Sequence, residues 1–359
     1  MPDKNVVLIT NIPNQYRIPL FNEFSKILSK EGKRLHVIFG AISYSSRKTE
    51  VDLTECQFDF TVLQSDKWKF LENGKGFIVY ENLLSTLERL SPHQIVIGGF
   101  SLATIKICLH PKNKNIPIYL WSGAISNALN LKGKLRAIQR KWILNRVRGV
   151  LAYSHRSKLY FVQLGVSESK ISVIGNTVDV SFFKAETERL KLLNQPKEVF
   201  HLTYLGYLTK RKAVDQILQV FEQLAKLRDD IHLNIVGSGE EEIELKNQVK
   251  NLNLGELVTF HGFIQKELIP AILAKSDLFL YQTNFDIWGL VLNETMAAGV
   301  PCFASVNAVS TNELIEDNKN GFKVNFAEHQ TVAKRIDEVL HCSKSTRIDH
   351  DRILTRSMC

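Results

Sequence analysis

No two cysteines in the chain are spaced Cys-x-x-Cys, and the five present, Cys56, Cys108, Cys302, Cys342 and Cys359, are scattered and odd in number. That excludes a disulfide framework and a structural zinc knuckle, and it fits a reducing compartment. No apolar run is long enough for a bilayer span: the longest, 95–109, contains Gly98, Gly99 and Lys106 and falls short of the roughly 20 residues required. The amino terminus has no signal-peptide core; Val6, Val7, Leu8 and Ile9 follow almost at once and read as a first buried strand. Internal repeats of 20–50 residues and low-complexity tracts are missing. The only Asp-x-Asp, Asp349-His-Asp351, lies in the tail with no strand before it, so no metal motif is expected. These absences place the protein in the cytoplasm, soluble or peripheral on the cytoplasmic face of the membrane.

What remains is ordinary globular composition, 44% hydrophobic and 23% charged over 359 residues, which excludes wholesale disorder and favours two domains. The net charge of +9 leaves three partner classes open: nucleic acid, an anionic membrane and phosphorylated small molecules.

Short apolar runs alternate with longer amphipathic stretches, the pattern of strand–helix repeats on a parallel sheet. Strands are expected near 6–10, 36–39, 94–97, 118–121 and 150–153, with helices over 20–28, 82–90, 102–109 and 131–146. A polar segment over 184–198 reads as a joint. The alternation then restarts, with strands near 202–205, 233–236, 258–261, 278–281, 302–304 and 322–324. Helices are expected over 214–227, 241–252, 268–274, 291–298 and 311–315. The predicted architecture is α/β, two Rossmann-like doubly wound domains, 1–178 and 179–359, facing each other across a cleft. Ligands of such sheets bind beyond the carboxyl ends of the strands.

The most informative stretch is Asp286-Ile-Trp-Gly-Leu-Val-Leu-Asn-Glu294, continuing Thr-Met-Ala-Ala-Gly299-Val-Pro301. A buried strand runs into a loop and then a helix opening near Gly289 and Leu290, whose free N–H groups and partial positive charge suit a phosphate. Gly289 would let an anion approach the backbone. Glu294, one turn in, can accept two hydrogen bonds from a ribose diol. A capped surface helix with an acidic first turn would look the same. In the second stretch, Tyr204-Leu-Gly206-Tyr-Leu-Thr-Lys-Arg-Lys212-Ala-Val-Asp215, a glycine turn and three cations precede a helix and can neutralise a diphosphate.

The first stretch resembles the Glu-x7-Glu motif of the group 1 (family 4) retaining glycosyltransferases of the GT-B fold, with their Ala-Met-Ala-Ala-Gly-x-Pro sequel. Glu294 stands at the second glutamate, which the resemblance assigns to the ribose. Asp286 replaces the first, which contacts donor-sugar hydroxyls. The second stretch resembles Gly-Arg-Leu-x-x-x-Lys-Gly, with Lys212 at the lysine, Tyr207 at the arginine and Ala213 at the glycine; Lys210 or Arg211 is the substitute for the missing arginine. Lys212, Asp286 and Glu294 are therefore the expected catalytic residues. Donor binding is expected from Gly206, Tyr207, Arg211, Gly237, His261, Gly262, Trp288, Gly289, Leu290 and Asn293. His261, in Phe260-His-Gly-Phe263, resembles the segment bordering the base, though a packed edge histidine is the commoner meaning.

In the first half, Arg17, within a segment resembling a subgroup's Asn-x-Pro-x-x-Tyr-Arg-x-Pro-Leu-Phe start, and Gly99 and Phe100 are assigned to the acceptor side. The resemblance implies sugar transfer with retention, without metal or cofactor, from a UDP- or GDP-linked donor to a lipid-linked saccharide of surface-polysaccharide synthesis. The basic amphipathic stretch from Leu131 to Arg148 suits an anionic membrane, with Trp142 at the interface, or a helix docked on its own sheet. Two other readings stay open: a nucleic-acid binder using that helix, although no such module is visible, and a non-catalytic GT-B relative, motivated by Asp286 and Tyr207.

Overall fold

The structure, a computed structural model, describes residues 4–42, 51–63, 68–71, 75–78, 80–125, 131–193 and 198–345. The chain divides into two compact units, Met1–Val178 and Asp179–Cys359.

The N-terminal unit runs β1 (Lys4–Thr10), α1 (Ile18–Lys30), β2 (Lys33–Phe39), β3 (Asp59–Val62), β4 (Trp68–Leu71), β5 (Lys75–Ile78), α2 (Leu83–Leu90), β6 (Gln94–Gly98), α3 (Leu102–Leu109), β7 (Ile118–Ser122), α4 (Leu131–Leu144), β8 (Gly149–Ala152), α5 (His155–Gln163) and β9 (Ile171–Val173). Seven parallel strands lie in the order β3-β2-β1-β6-β7-β8-β9, while β4 and β5 form a separate antiparallel pair. Alternation along β1 sets the layers. Val7 and Ile9 pack with α2, α3, α4 and α5, whereas Val6 and Leu8 pack with α1. Among the described residues α1 is the only helix in that second layer.

The C-terminal unit runs α6 (Val180–Lys191), β10 (Phe200–Leu205), α7 (Val214–Ala225), β11 (Ile231–Val236), α8 (Glu242–Asn251), β12 (Val258–Gly262), α9 (Ile269–Ala274), β13 (Leu278–Tyr281), α10 (Val291–Ala297), β14 (Cys302–Ser305), α11 (Val309–Leu314), β15 (Phe322–Val324) and α12 (His329–Ser345). Its six strands are all parallel, in the order β12-β11-β10-β13-β14-β15. Helix α7 buries Val214, Ile217, Leu218, Val220, Phe221 and Leu224 on the sheet, each contributing about 1.5–3 kcal/mol. That docking fixes the loop between β10 and α7, where Lys212 sits.

The polar joint expected over 184–198 is instead largely helix. Asp179 caps α6 by accepting from the Phe182 N–H at 2.9 Å, and the helix buries only Phe183 and Thr187, one turn apart. So narrow a stripe is hard to see in sequence. The Asp349-His-Asp351 motif lies outside the described residues.

Candidate functional site

The loops at the carboxyl ends of β10, β11 and β13 are locked together by backbone contacts. The Leu208 N–H donates to the Ser238 carbonyl, and the Glu241 N–H returns to the Leu208 carbonyl, both at 3.0 Å. The Gly237 N–H donates to the Gly262 carbonyl at 2.8 Å. Gly237 has φ +137°, a region L side chains rarely adopt, and a Cβ there would fall inside the Gly206 carbonyl. Gly237→Ala is expected to cost more than about 2 kcal/mol and to lower the unfolding midpoint by several degrees. Thermal melts followed by circular dichroism check it; a wild-type midpoint would contradict this packing.

Lys212 is buried, only 7% exposed, and its ammonium donates to Asp286 Oδ2 at 2.6 Å. Arg211 reaches the same oxygen at 3.2 Å and donates to the Phe285 carbonyl at 2.9 Å. The Asn284 N–H donates to the Arg211 carbonyl at 2.8 Å, which ties the β10–α7 loop to the one after β13. Backbone geometry also pins Asp286, whose carbonyl accepts from the Val309 N–H at 3.0 Å.

Burial alone would raise the Asp286 carboxyl, but Lys212 and then Arg211 outweigh it and hold the group below its ordinary value. Burial also pulls the Lys212 ammonium down, against the pull of Asp286. The two directions conflict over how completely the pair is ionised. The 2.6 Å contact and the second cation favour a charged pair. Behind it, Ala213 opens α7 at φ +45°, in the left-handed region where the resembled motif has glycine.

Glu294 is the other buried charge, 9% exposed on α10, and no described residue donates to its carboxylate. Burial pushes its pKa up to about 7, with Lys266 the opposing influence. Such a carboxylate is costly unless something donates to it.

Of the expected donor residues, Gly206, Tyr207 and Gly237 line one apolar cavity of about 150 Å³, together with Ser238, Phe263 and Ile264. The last three were not singled out, although Phe263 closes the Phe-His-Gly-Phe segment. His261 is not among that cavity's lining; it bonds Asn234 Oδ1 at 2.8 Å on the sheet, as a packed edge histidine does. Trp288 is buried and donates to Asn293 Oδ1 at 2.8 Å, so these two brace each other. The Trp288 carbonyl accepts from Tyr281, at 3.1 Å, and from Ser310. Gly289, at φ +75°, sits where a Cβ would strike the Tyr281 hydroxyl, and Leu290 forms the cap of α10. Gly262 also has positive φ, with open space around it. Tyr281 was not foreseen; its ring lies 5.5 Å from the Lys212 ammonium and links the two halves of the site.

In the N-terminal unit, Arg17 donates to the Tyr153 hydroxyl at 2.7 Å, and Phe100 lies under Arg140 at 5.3 Å. Gly99 has φ +75° just before the Ser101 cap of α3. Among the described residues no group of three or more His, Cys, Asp or Glu is placed to hold a metal ion, and no helix is long and apolar enough to cross a membrane.

Residues 185–350, which contain the lysine turn, the Asp286 loop and Glu294, match the family model described as glycosyl transferases group 1. The C-terminal unit is a group 1 glycosyltransferase domain. Curated relatives of this glycosyltransferase chain include an uncharacterized 41.2 kDa protein in the cps region of Klebsiella pneumoniae, 28% identical over 52% of this chain and 51% of that one. N-acetyl-alpha-D-glucosaminyl L-malate synthase of Bacillus anthracis is 28% identical over 55% of this chain and 53% of its own. The chain thus spans about half the length of these relatives. Both units together share the fold of HepE from Anabaena, solved with UDP and glucose, at TM-score 0.72 and 17% identity over 99% of this chain and 94% of that one. That likeness shows the GT-B fold, two Rossmann-like domains.

Proposed function

We propose that this chain transfers a sugar from a nucleotide-sugar donor, UDP- or GDP-linked, to an acceptor hydroxyl. The observation that carries the proposal is the buried Lys212–Asp286 pair beside Arg211, lying inside the matched segment. Lys212 has three donors and spends one on Asp286, which leaves others for the departing diphosphate. The bond between the anomeric carbon and the phosphate oxygen breaks, and the nucleoside diphosphate leaves with both electrons. The acceptor oxygen forms the new bond on the same face, with retention, and its proton passes to the leaving phosphate. Glu294 takes the ribose hydroxyls, and the cavity beside Gly206 and Gly237 suits the base. Asp286 faces the donor sugar. Fixed cations replace a metal in this scheme, so turnover is expected to persist in chelator.

The N-terminal unit binds the acceptor, a lipid-linked saccharide of the kind used in capsule, O-antigen or exopolysaccharide synthesis; the cps-region relative supports this class. Helix α4 supports work at an anionic membrane surface. It leaves Leu135 and Ile138 61% and 66% exposed among exposed Lys134, Arg136 and Lys141. Trp142, expected at the interface, packs partly on the core with Arg146 at 3.7 Å over its ring. The double variant Leu135→Gln/Ile138→Gln is expected to lose roughly tenfold in binding to phosphatidylglycerol vesicles. Co-sedimentation measures it, and unchanged binding would remove α4 from the interface.

A thermal-shift panel of UDP-, GDP-, ADP- and dTDP-sugars tests the whole reading. A ligand at 100 Kd stabilises by about 2.7 kcal/mol, a shift of several degrees. No shift with any nucleotide sugar at millimolar concentration would reject it.

A further inference from the structure

The second layer of the N-terminal sheet, covered by α1 alone among the described helices, contains an apolar cavity of about 390 Å³. Leu20, Phe24 and Leu28 line it from one stripe of α1, and Val96, Trp121 and Leu151 from three neighbouring strands. From Leu20 to Leu28 is eight residues, roughly 12 Å along the helix. Volumes of 300–1,000 Å³ are usual for small-molecule sites.

One wall ends in a cation. The Arg17 guanidinium lies 4.7 Å from the Trp121 ring centroid and 5.5 Å from that of Tyr16. It donates to the Tyr153 hydroxyl at 2.7 Å and, weakly, to the Thr10 hydroxyl at 3.4 Å. No described carboxylate pairs with it. Arg17 Nε and Trp121 Nε1 are both buried donors with no protein acceptor, and they belong to touching side chains. A half-buried guanidinium among neutral partners, next to a second unused donor, is electrostatically incomplete. An anion completes it.

We infer that this groove and Arg17 together bind an amphiphilic anion, an alkyl or isoprenoid chain along α1 with a phosphate at Arg17 and Trp121. The assignment rests on the glycosyl-transfer reading only in making the bound lipid part of the acceptor; the groove and its unpaired donors stand without it. Charge complementarity selects the occupant, since a neutral hydrocarbon would leave the guanidinium uncompensated.

The test is calorimetric titration of the full chain with decyl phosphate, decanol and inorganic phosphate, with UDP titrated into the same preparation. Decyl phosphate is expected to bind at least tenfold tighter than either single-feature probe. Arg17→Met should bring decyl phosphate to the level of decanol, and Leu28→Gln, at a partly exposed position of α1, should weaken it about tenfold. Parity of decyl phosphate with inorganic phosphate would reduce the site to a free-anion pocket and overturn the proposal, as would parity with decanol. A dimer in sedimentation that Leu28→Gln dissolves, without decyl phosphate binding, would make a second copy the occupant and also overturn it. UDP binding without decyl phosphate binding defeats this inference alone; the converse defeats the donor-site reading alone.

Discussion

Lys212→Ala is expected to lower kcat by about 10²-fold or more with little change in fold. The loss follows from position. The ammonium is buried and held by Asp286, so it presents its remaining donors without reorganising when the diphosphate leaves. Arg211 already touches Asp286 at 3.2 Å, so removing the lysine does not strand the carboxylate, and the melting midpoint should move little. Asp286→Asn acts in the opposite way. It leaves Lys212 buried without an acid, a change that typically costs about 3–5 kcal/mol, and should depress stability more than Lys212→Ala does. Initial rates with a nucleotide sugar, read beside thermal melts of both variants, check the pair. Near-normal turnover in Lys212→Ala would remove the lysine from leaving-group stabilisation.

The second large effect concerns Glu294. Its pKa of about 7 in the folded chain exceeds the ordinary carboxyl value, so the folded state holds the proton longer than the unfolded chain. Stability associated with this group is therefore complete at low pH and declines as pH rises from the ordinary carboxyl range to about 7. Glu294→Gln removes that cost and should stabilise the protein at pH 8 by on the order of 1–3 kcal/mol, with no gain at pH 4. The same change should weaken UDP or GDP binding about 10- to 100-fold, because hydrogen bonds to a charged acceptor are the stronger kind. In the wild type, affinity should fall as pH drops below about 7, approaching tenfold per unit, whereas the glutamine variant stays flat. Binding isotherms between pH 6 and 8 measure this. A variant that is more stable yet binds normally would leave Glu294 a buried residue with no role in the ribose.

The main frame of both sheets was legible because buried parallel strands and the amphipathic helices between them carry strong periodic signals. Helix α7 shows the full stripe, and β1 is four apolar residues in a row. The omissions were elements with little to bury. Strand β9 has three residues, β3 lies at a sheet edge with Asp59 and Phe60 exposed, and α6 buries two side chains. Helix α12 is a different kind of miss. Its Val332, Ala333, Ile336 and Leu340 form a readable stripe against α7, but the polar residues between them drew the eye to a tail. In the site, Lys212, Asp286 and Glu294 could be picked out by motif spacing. That Lys212 and Asp286 touch, across 74 residues of chain, could not. Nor could the bracing of Trp288 by Asn293 and Tyr281, since hydroxyl and indole partners leave no periodic trace.

The central claim is that the C-terminal unit grips a nucleoside diphosphate between Lys212 and Glu294. Crystals soaked with UDP or GDP test it most directly. The account predicts phosphate oxygens within hydrogen-bonding distance of the Lys212 ammonium and both ribose hydroxyls on the Glu294 carboxylate. A nucleotide bound elsewhere, or a Lys212 still paired only with Asp286 beneath an ordered ligand, would contradict it.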